Sequence, residues 1–553
     1  MKKVILFFSV ILFFGCKTAK IDKPISSNNC KNYFEWKGAN LYFLLTDRFY
    51  NGDLSNDNLL NRNENTGVLR GFMGGDIKGI TKKIEEGYFS DLGINAIWFT
   101  PVVEQIHYAV DEGTGNTYGF HGYWAKDWTA LDPNFGTKKD LKELVEKAHA
   151  KGIRIVLDAV VNHTGPVTKK DPVYPENWVR TQPKCTYNSY RNYIDCTLVE
   201  NLPDVLTESN ENVALPPMLV EKWKKEGRYE KEMASLDEFF KKTGYPRAPK
   251  YYIMKWLADY ILEFGIDGYR VDTVKHTTED VWADFNNICQ AAFSEYKSNN
   301  PKKVLDNNDF FMLGEVYGYG LNGKQFYDFG DKKVNYFENG LSTLINFDFK
   351  GDANKSFEDL FSYYNKVLHS DLKAYNVANY LTSHDDGHPF DKQRKRTYES
   401  ATKLLLTSGI SQVYYGDESA RSLEIVDAQG DATLRSFMNW DELSASKDKQ
   451  DLLKHYQKLG QFRANHPAVG AGKHQMISKS PYVFERTYQS VDYNDAVVIA
   501  LDLPKGEKTI SIGNNFKDGD ILIDHYSGQE AKVESAYVKF NTAFTILLLE
   551  KKN

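Results

Sequence analysis

The feature that most constrains this chain is a regular alternation of short apolar segments with longer amphipathic ones from residue 39 onwards. Apolar segments that alternate with helical patterns predict parallel strands covered by helices on both faces. Strands are predicted at Leu41–Leu45, Asn95–Phe99, Arg154–Asp158, Gly268–Asp272, Phe311–Glu315, Ala378–Ser383 and Ser411–Tyr415, and helices at Asp140–Ala150, Tyr251–Phe264 and around Val281–Phe293. About eight such units over residues 39–465 favour an α/β fold, a (β/α)8 TIM barrel.

Two regions break this alternation. Residues 163–245, after the third strand, are irregular, rich in Pro, Asn and Tyr, and too long for a barrel loop, so they predict an inserted domain over the barrel's C-terminal face. Residues 466–553 contain short strands separated by Gly, Asn, Asp and Lys, which predicts a C-terminal antiparallel β-sandwich. The barrel is therefore predicted in two parts, residues 39–162 and 246–465.

The N-terminus is typical of an export signal. A basic start, Met1–Lys3, precedes the apolar segment Val4–Phe14, which is too short to span a bilayer. Gly15 and Cys16 resemble a lipoprotein box, so residues 1–16 are predicted to be a lipoprotein-type signal peptide with lipid on Cys16; ordinary cleavage nearby is the alternative. Residues 17–38 are predicted to be a polar tether. We expect an exported protein, anchored to a bacterial membrane only through Cys16 or otherwise secreted.

Charge and cysteine usage exclude some classes of protein. The chain has 69 Lys and Arg against 75 Asp and Glu, a net charge of −6, so nucleic acid is not an expected partner. Cys185 and Cys196 flank a polar and aromatic stretch and are predicted to form a disulfide in an oxidising compartment. Cys289 lies on a helical pattern and is predicted to be a buried free thiol. No Cys or His pair has the spacing of a zinc finger.

Polar side chains cluster where four of the predicted strands end. These ends are Asp158–His163, Gly268–His276, Leu313–Val316 and Ser383–Asp386. In a parallel barrel such ends converge on one site. A single strand-end Asp is often only a helix cap, but several carboxylates at successive ends provide what glycoside hydrolysis needs, a nucleophile and a neutral acid.

These four segments, in this order, resemble the signature regions of the α-amylase family, glycoside hydrolase family 13. The resemblance covers the chain from about residue 39 and implies the same barrel, inserted domain and sandwich. It implies that Asp272 is the nucleophile, Glu315 the acid/base and Asp385 the third carboxylate, which holds and distorts the sugar. Arg270 would hydrogen-bond Asp272 and keep it ionised; a structural ion pair is the other reading of Arg270.

The resemblance also implies substrate contacts. Phe120–Trp124 resembles a family segment in which His121 would bind a sugar hydroxyl and Tyr123 would stack under the reacting ring. His163 and His384 would contact hydroxyls of the same sugar.

Further contacts are implied on each side of the scissile bond. Asp431 and Arg435 resemble a pair that binds glucose on the non-reducing side, and Lys275 would reach the sugar beyond the scissile bond, unless it is a solvated lysine. Two departures, Ser383 in place of the usual Asn and the partial match of Leu202–Val205, leave the substrate preference open.

Calcium is the implied cofactor. Asn162, Asp204 and the carbonyl of His276 match family ligands between the barrel and the inserted domain, and Ca²⁺ prefers such oxygen ligands. A second site is implied by one cluster of residues: Asn51, Asp53, Asn56, Asp57, Gly74 and Asp76. A polar turn without metal is the alternative for this cluster.

The leading interpretation is retaining endo-hydrolysis of α-1,4-glucosidic bonds in starch, glycogen and maltooligosaccharides. An alternative within the family is a cyclodextrin or maltooligosaccharide hydrolase or a transglycosylase. A large N-terminal domain and about a hundred further C-terminal residues, which relatives of that kind carry, are not expected here. A non-catalytic starch-binding surface protein is disfavoured, since it has no need of all three carboxylates.

Overall fold

Eight parallel strands close into a barrel in the computed structural model, which describes residues 33–491 and 493–552. The strands are β1 Asn40–Leu44, β2 Ala96–Phe99, β3 Arg154–Ala159, β4 Gly268–Val271, β5 Phe311–Gly314, β6 Thr343–Asn346, β7 Asn376–Tyr380 and β8 Ile410–Tyr414. Each pairs in parallel with its neighbours, and β1 pairs with both β2 and β8 to close the barrel. The predicted (β/α)8 barrel is therefore confirmed.

The helices follow the strands and cover the barrel. Those of six or more residues are α1 Ile77–Glu85, α2 Lys138–Ala150, α3 Pro217–Lys225, α4 Tyr229–Thr243, α5 Pro249–Phe264, α6 Glu279–Asn299, α7 Phe357–His369, α8 Thr397–Leu406, α9 Trp440–Ala445 and α10 Lys447–Asn465. Helix α2 shows how local sequence sets a boundary. Thr137 and Asp140 form a reciprocal capping box at its start, and Leu141 and Leu144 are buried on its inner face.

Two strand predictions need correction. The sequence predicts no strand at β6, because only Leu344 and Ile345 are apolar between Thr343 and Asn346. Strand β7 ends at Tyr380 and not at Ser383, because the chain leaves the sheet and turns before His384. The polar residues predicted at the end of β7 therefore lie on the loop that follows it.

The segment after β3 contains more regular structure than its sequence predicted. Helices α3 and α4 lie within residues 163–245, and Trp223 of α3 is fully buried and donates to Thr129 Oγ1 at 3.2 Å. The predicted Cys185–Cys196 disulfide is confirmed, with the Cα atoms 4.9 Å apart. Cys289 is a buried free thiol, as predicted.

The C-terminal part is antiparallel and has its own apolar core. Its strands are β9 Lys473–Lys479, β10 Tyr482–Gln489, β11 Asn494–Leu501, β12 Gly506–Ser511, β13 Ile521–Asp524, β14 Glu530–Lys532, β15 Tyr537–Thr542 and β16 Leu547–Lys551. Six of them form one sheet in the order β9-β10-β11-β16-β13-β14, and β12 pairs with β15. This agrees with the predicted antiparallel sandwich.

The end of the predicted tether is packed against the barrel. Trp36 begins a short 3-10 helix and stacks on Phe311 with ring centroids 3.9 Å apart, and Arg154 lies over the ring of Phe34. The tether prediction is therefore wrong for residues 33–38, since Phe34 and Trp36 are partly buried against the barrel core. The signal peptide, Cys16 and residues 17–32 lie outside the described residues. Among the described helices, none combines the length and apolar character needed to cross a membrane.

Candidate active site

A cleft of about 550 Å³ opens at the C-terminal ends of the barrel strands. It brings together most of the predicted catalytic and substrate-binding residues: His121, Tyr123, His163, Asp272, Lys275, Glu315, Asp385, Asp431 and Arg435. Arg270 and His384 contact this set from within the barrel. The strand ends therefore converge as the sequence predicted.

Arg270 joins the two central carboxylates. Its Nη1 donates to Asp272 Oδ1 at 2.7 Å, and its Nη2 lies 2.9 Å from Glu315 Oε1, although that second contact is poorly aligned for a hydrogen bond. Arg270 is fully buried, and Asp272 and Glu315 are 6% and 7% exposed. A buried guanidinium stays charged, so it fixes both carboxyl groups on one face of the cleft.

The backbone after β4 also reaches the acid group. Thr273 has φ of 47°, a left-handed conformation that is unfavourable for a β-branched residue. This conformation directs the Thr273 N–H to Glu315 Oε2 at 3.1 Å. Strain held at this position therefore serves to orient Glu315.

Asp158 is a buried carboxylate to which sequence reasoning gave no role. It accepts from Arg270 Nη1 at 2.9 Å, Trp98 Nε1 at 3.1 Å and Tyr123 OH at 2.8 Å. It thus connects the guanidinium beneath the carboxylates to the ring of Tyr123. The sequence offered one signal of this role. Asp158 lies on β3 two residues after Val156, so its side chain faces the barrel interior, beside Arg270.

One guanidinium faces three carboxyl groups, Asp158, Asp272 and Glu315, so it cannot offset the charge of all three. Burial raises the pKa of Glu315 to about 8; Arg270 opposes this, and the negative charges of Asp272 and Asp385 add to it. Burial also raises the pKa of Asp158, to about 6. Glu315 is therefore protonated at neutral pH and can donate a proton, as a general acid must.

Asp385 is held as an anion by its neighbours. His384 Nε2 lies 2.9 Å from Asp385 Oδ2, and Arg435 Nη2 lies 2.5 Å from Asp385 Oδ1. Burial opposes ionisation, but His384 and Arg435 together hold the pKa of Asp385 well below its usual range. Arg435 and His384 therefore fix the Asp385 carboxylate at the cleft.

The ion pairs continue along one arm of the cleft. Arg435 also contacts Asp431 Oδ2 at 2.7 Å, and Arg70 lies 3.3 Å from the other oxygen of Asp431. Arg70 also lies 3.9 Å from Glu112. Arg70 and Glu112 both line the cleft and were missed, because isolated charges in loops carry no periodic signal.

The residues that were predicted to contact the reacting sugar lie together. Tyr123 stacks beside His384 with centroids 5.4 Å apart, and its backbone N–H donates to His121 Nδ1 at 3.1 Å. His163 Nε2 lies 3.1 Å from the carbonyl of Tyr123. Burial lowers the pKa of His121 and of His163, so both rings are neutral at pH 7 and can exchange hydrogen bonds with hydroxyl groups.

Lys275 also lines the cleft, together with Glu315. Its Nζ donates to the carbonyl of Tyr317 at 2.9 Å and contacts Tyr327 OH at 3.2 Å, and its pKa is lowered to about 8 by burial. The side chain is 8% exposed, so the alternative of a solvated lysine is wrong.

The first predicted calcium site has a donor set that fits a cation. Asn162 and Asp204 are both buried beside the turn after β3, and Asp204 Oδ1 has no hydrogen-bond partner. The other oxygen of Asp204 lies 3.0 Å from Arg180 Nε. An unpartnered buried carboxylate oxygen is costly unless a cation faces it. The ring of His276 contacts the backbone carbonyl of Tyr193. The backbone carbonyl of His276 is the third predicted ligand.

The second predicted site fits a cation as well. Asn51 Oδ1 and Asn56 Oδ1 are buried and unpartnered, while Asn51 Nδ2 donates to Asp57 Oδ1 at 2.8 Å. Gly74 has φ of 89° and lies so close to Asn51 and Asp57 that a Cβ would contact both. The cluster therefore presents amide and carboxylate oxygens around the backbone turn at Gly74.

The remaining members of this cluster have partners. Asp76 accepts from the backbone N–H of Gly79 at 2.6 Å and of Asp53 at 2.8 Å, so it caps α1 and organises the loop. Asp53 also pairs with Lys78 at 2.6 Å. Among the described residues, no three His, Cys, Asp or Glu side chains form a metal-binding group, so a cation here depends on amide and backbone oxygens too.

Known proteins resemble this chain over most of its length. The family model for the alpha-amylase catalytic domain matches residues 43–442. The periplasmic alpha-amylase of Escherichia coli (strain K12) is 34% identical over 512 residues, which cover 82% of this chain and 71% of that protein. The cyclomaltodextrin glucanotransferase of Thermoanaerobacterium thermosulfurigenes is 27% identical over 521 residues, 90% of this chain, and the chain spans 64% of its length.

A solved structure has the same fold. The alpha-amylase of Geobacillus thermoleovorans, complexed with acarbose, aligns with a TM-score of 0.65 and 22% identity over 94% of this chain and 100% of that one. At this identity the likeness concerns the fold alone. The family match covers well over half of the chain and includes Asp272, Glu315 and Asp385. The chain belongs to the alpha-amylase family of glycoside hydrolases.

Proposed function

We propose that this enzyme is a retaining endo-α-amylase that cleaves α-1,4-glucosidic bonds in starch, glycogen and maltooligosaccharides. The observation that carries the proposal is the pair Asp272 and Glu315 on one buried arginine, with the pKa of Glu315 raised to about 8. An ionised carboxylate beside a protonated carboxyl group is what a retaining glycosidase requires.

The first step transfers the sugar to the enzyme. Glu315 gives its proton to the glycosidic oxygen while Asp272 attacks the anomeric carbon, so the carbon–oxygen bond breaks as the glycosyl ester forms. Arg270 stays charged and holds both carboxyl groups in place. Asp385, oriented by His384 and Arg435, would accept hydrogen bonds from sugar hydroxyls.

The second step releases the sugar. Glu315, now a carboxylate, takes a proton from water as that water attacks the anomeric carbon, and Asp272 leaves as a free carboxylate. The product keeps the α configuration because two displacements occur. The ring of Tyr123, held through its hydroxyl by Asp158, offers a flat apolar face beneath the reacting sugar.

Endo attack is supported by further polar groups that line the cleft with the catalytic pair. Asp431 and Arg435 would bind sugars on the non-reducing side, and Lys275 would bind the sugar beyond the scissile bond. A cleft with contacts on both sides accepts an internal stretch of a chain.

Calcium would stabilise this arrangement. Asn162, Asp204 and the His276 carbonyl would hold one ion, and Asn51, Asp53, Asn56, Asp57, Gly74 and Asp76 a second. When bound, such an ion supplies charge neutralisation and ties loops together.

We also propose export with a lipid on Cys16, and the division into barrel, inserted domain 163–245 and sandwich 466–553. A relative named as a periplasmic alpha-amylase supports export.

Transglycosylation is the second candidate, supported by relatives named as cyclomaltodextrin glucanotransferases. In that reaction a sugar hydroxyl replaces water in the second step. Product analysis on amylose, maltoheptaose and cyclodextrins separates the candidates. Rapid loss of amylose viscosity with few new reducing ends supports the endo-amylase. Cyclic or elongated products would favour the transferase, and glucose released alone from chain ends would contradict endo attack.

A further inference from the structure

Tyr123 reaches the cleft from one end of an antiparallel hairpin. The two strands of this hairpin are Val103–Gln105 and Ala125–Leu131. Tyr123 and Trp124, which both line the cleft, come directly before the second strand. The backbone N–H of Trp124 donates to Gln105 Oε1 at 2.7 Å, and Gln105 is fully buried. The position of Tyr123 therefore depends on how the two strands are held together.

The hairpin carries two acidic residues opposite one another. Glu104 and Asp127 are partners in its antiparallel register, and they are 7% and 0% exposed. Like charges directly opposite on paired strands are destabilising, and a buried charge without a partner is more costly still. The hairpin therefore needs a cation that faces both carboxylates.

Helix α3 supplies that cation. Lys222 Nζ lies 2.5 Å from Asp127 Oδ2 and also contacts Glu104 Oε2. Burial opposes the charge of Lys222, but Asp127 and Glu104 raise its pKa, so the ammonium group stays charged. The next residue, Trp223, is fully buried and donates to Thr129 of the same hairpin. The helix is therefore attached to the hairpin by charge and by packing.

Other charged groups each contact one of the two carboxylates. Arg228 Nη2 lies 3.0 Å from Asp127 Oδ2, and His107 Nε2 lies 2.9 Å from Glu104 Oε1. Burial opposes the ionisation of Glu104, but His107 and Lys222 lower its pKa to about 2. Among the ion pairs of the described residues, only those of Lys222 join both carboxylates.

We propose that Lys222 is a positioning residue for the reaction: by joining Glu104 to Asp127, it holds the hairpin in the arrangement that places Tyr123 beneath the reacting sugar. The inference rests on the proposed function, in which Tyr123 contacts that sugar. Lys222 is not among the described residues that line the cleft, so it acts through the hairpin and not on the substrate.

The test is a double-variant cycle between Lys222 and Tyr123. The variants are Lys222→Met, Tyr123→Ala and the two together; methionine keeps an unbranched apolar side chain and removes the charge. Lys242→Met is the matched control, because Lys242 of the neighbouring helix α4 forms an exposed ion pair with Glu295 at 2.9 Å. The values of kcat and KM on maltoheptaose are measured well below the melting temperature of each variant, so that lower stability alone does not change them.

We expect Lys222→Met to lose about tenfold in kcat/KM, since a displacement of about 1 Å caused from a distance can cost up to about 10²-fold. Lys242→Met should stay within about twofold of the wild type, as exposed ion pairs contribute little. In the Tyr123→Ala background, Lys222→Met should change kcat/KM by less than about twofold, because two residues that act through one contact are not additive.

Two results would overturn the inference: an unchanged kcat/KM in folded Lys222→Met, or the same loss with and without the ring of Tyr123. If Lys222→Met does not fold, Glu104→Met takes its place in the cycle, because it breaks the same link and leaves Lys222 paired with Asp127. A wild-type enzyme that does not cleave maltoheptaose would refute the proposed function itself.

Discussion

Arg270 Nη1 lies 2.7 Å from Oδ1 of Asp272, two residues further along the same chain segment, with the guanidinium fully buried. Residues two apart on extended backbone share a face, so β4 and the residue that directly follows it set this pair. The nucleophile and the charge that orients it are therefore fixed by one stretch of backbone. The acid group must come from the neighbouring strand, β5, to reach the same guanidinium.

Exchange of either carboxylate for its amide is expected to abolish hydrolysis. Asp272→Asn removes the nucleophilic charge and Glu315→Gln removes the transferable proton, while both keep the side-chain volume. Loss of acid/base work alone costs about 10²-fold or more in kcat. Glu534→Gln, on the exposed surface of the sandwich, serves as the control. A variant that keeps about a tenth of wild-type kcat would contradict the assigned role.

The activity should fall on the alkaline side as Glu315 loses its proton. Since its pKa is raised to about 8, the acid form is present below that pH and is lost as the pH rises through it. Asp385→Asn removes a negative charge that raises this pKa, so the alkaline limb of its residual activity should move to lower pH. The pH dependence of kcat/KM, which reports the free enzyme, is the measurement, and a limb that stays in place or moves upward would count against the proposed electrostatics.

Removal of calcium should lower the melting temperature. An ion that binds only the folded state stabilises it by about 2.7 kcal/mol at a hundred times its dissociation constant. Asp57→Ala should remove part of this effect, because Asp57 Oδ1 accepts from Asn51 Nδ2 and so holds the amide whose Oδ1 is unpartnered. Thermal unfolding with chelator and after added calcium, with metal analysis, tests this. An unchanged melting temperature in a protein that contains no calcium would end the metal proposal.

The stereochemical outcome follows from the two displacements proposed for Asp272 and Glu315, each of which inverts the anomeric carbon. A retaining enzyme needs about 5–5.5 Å between Asp272 and Glu315, and an inverting one about 6.5–9.5 Å to admit a water molecule. Proton NMR of fresh hydrolysate should therefore show the α-anomer first. A β-anomer as the first product would be incompatible with Asp272 as the nucleophile.

Asp158→Asn should reduce both stability and activity, although Asp158 touches no reacting atom. The change leaves Arg270 with less compensating charge, and removing one partner of a buried ion pair costs about 3–5 kcal/mol. It also weakens the hold on Tyr123. Urea unfolding and kcat measure the two effects. Asp306→Asn, which removes the partner of Arg154 near the surface, should leave kcat unchanged.

The sequence predicted the parts of the site that repeat a pattern. Asp272, Glu315 and Asp385 follow strands, so their convergence could be expected from the barrel alone. Helices α3 and α4 were missed although Trp223 and Phe240 are buried in them, because charged residues surround these anchors and hide the apolar stripe.

Other parts of the site depend on contacts that no local pattern encodes. Arg70 meets Asp431 across more than 300 residues of chain, and Arg180 meets Asp204 only through a short antiparallel pairing. Such partners are set by the folded chain and not by spacing. Thr273 is similar, since its left-handed conformation arises from the loop that carries it.

The packing of Trp36 on Phe311 has a consequence for how the enzyme faces its surroundings. Phe311 is the first residue of β5, and Arg154, which covers Phe34, is the first residue of β3. Both contacts lie at the N-terminal ends of the strands, at the end of the barrel away from the cleft, so the described chain begins at that end. If Cys16 carries a lipid, as proposed, the folded part of the enzyme would be joined to its anchor through the end of the barrel opposite the cleft, which leaves the cleft open to long polysaccharide chains.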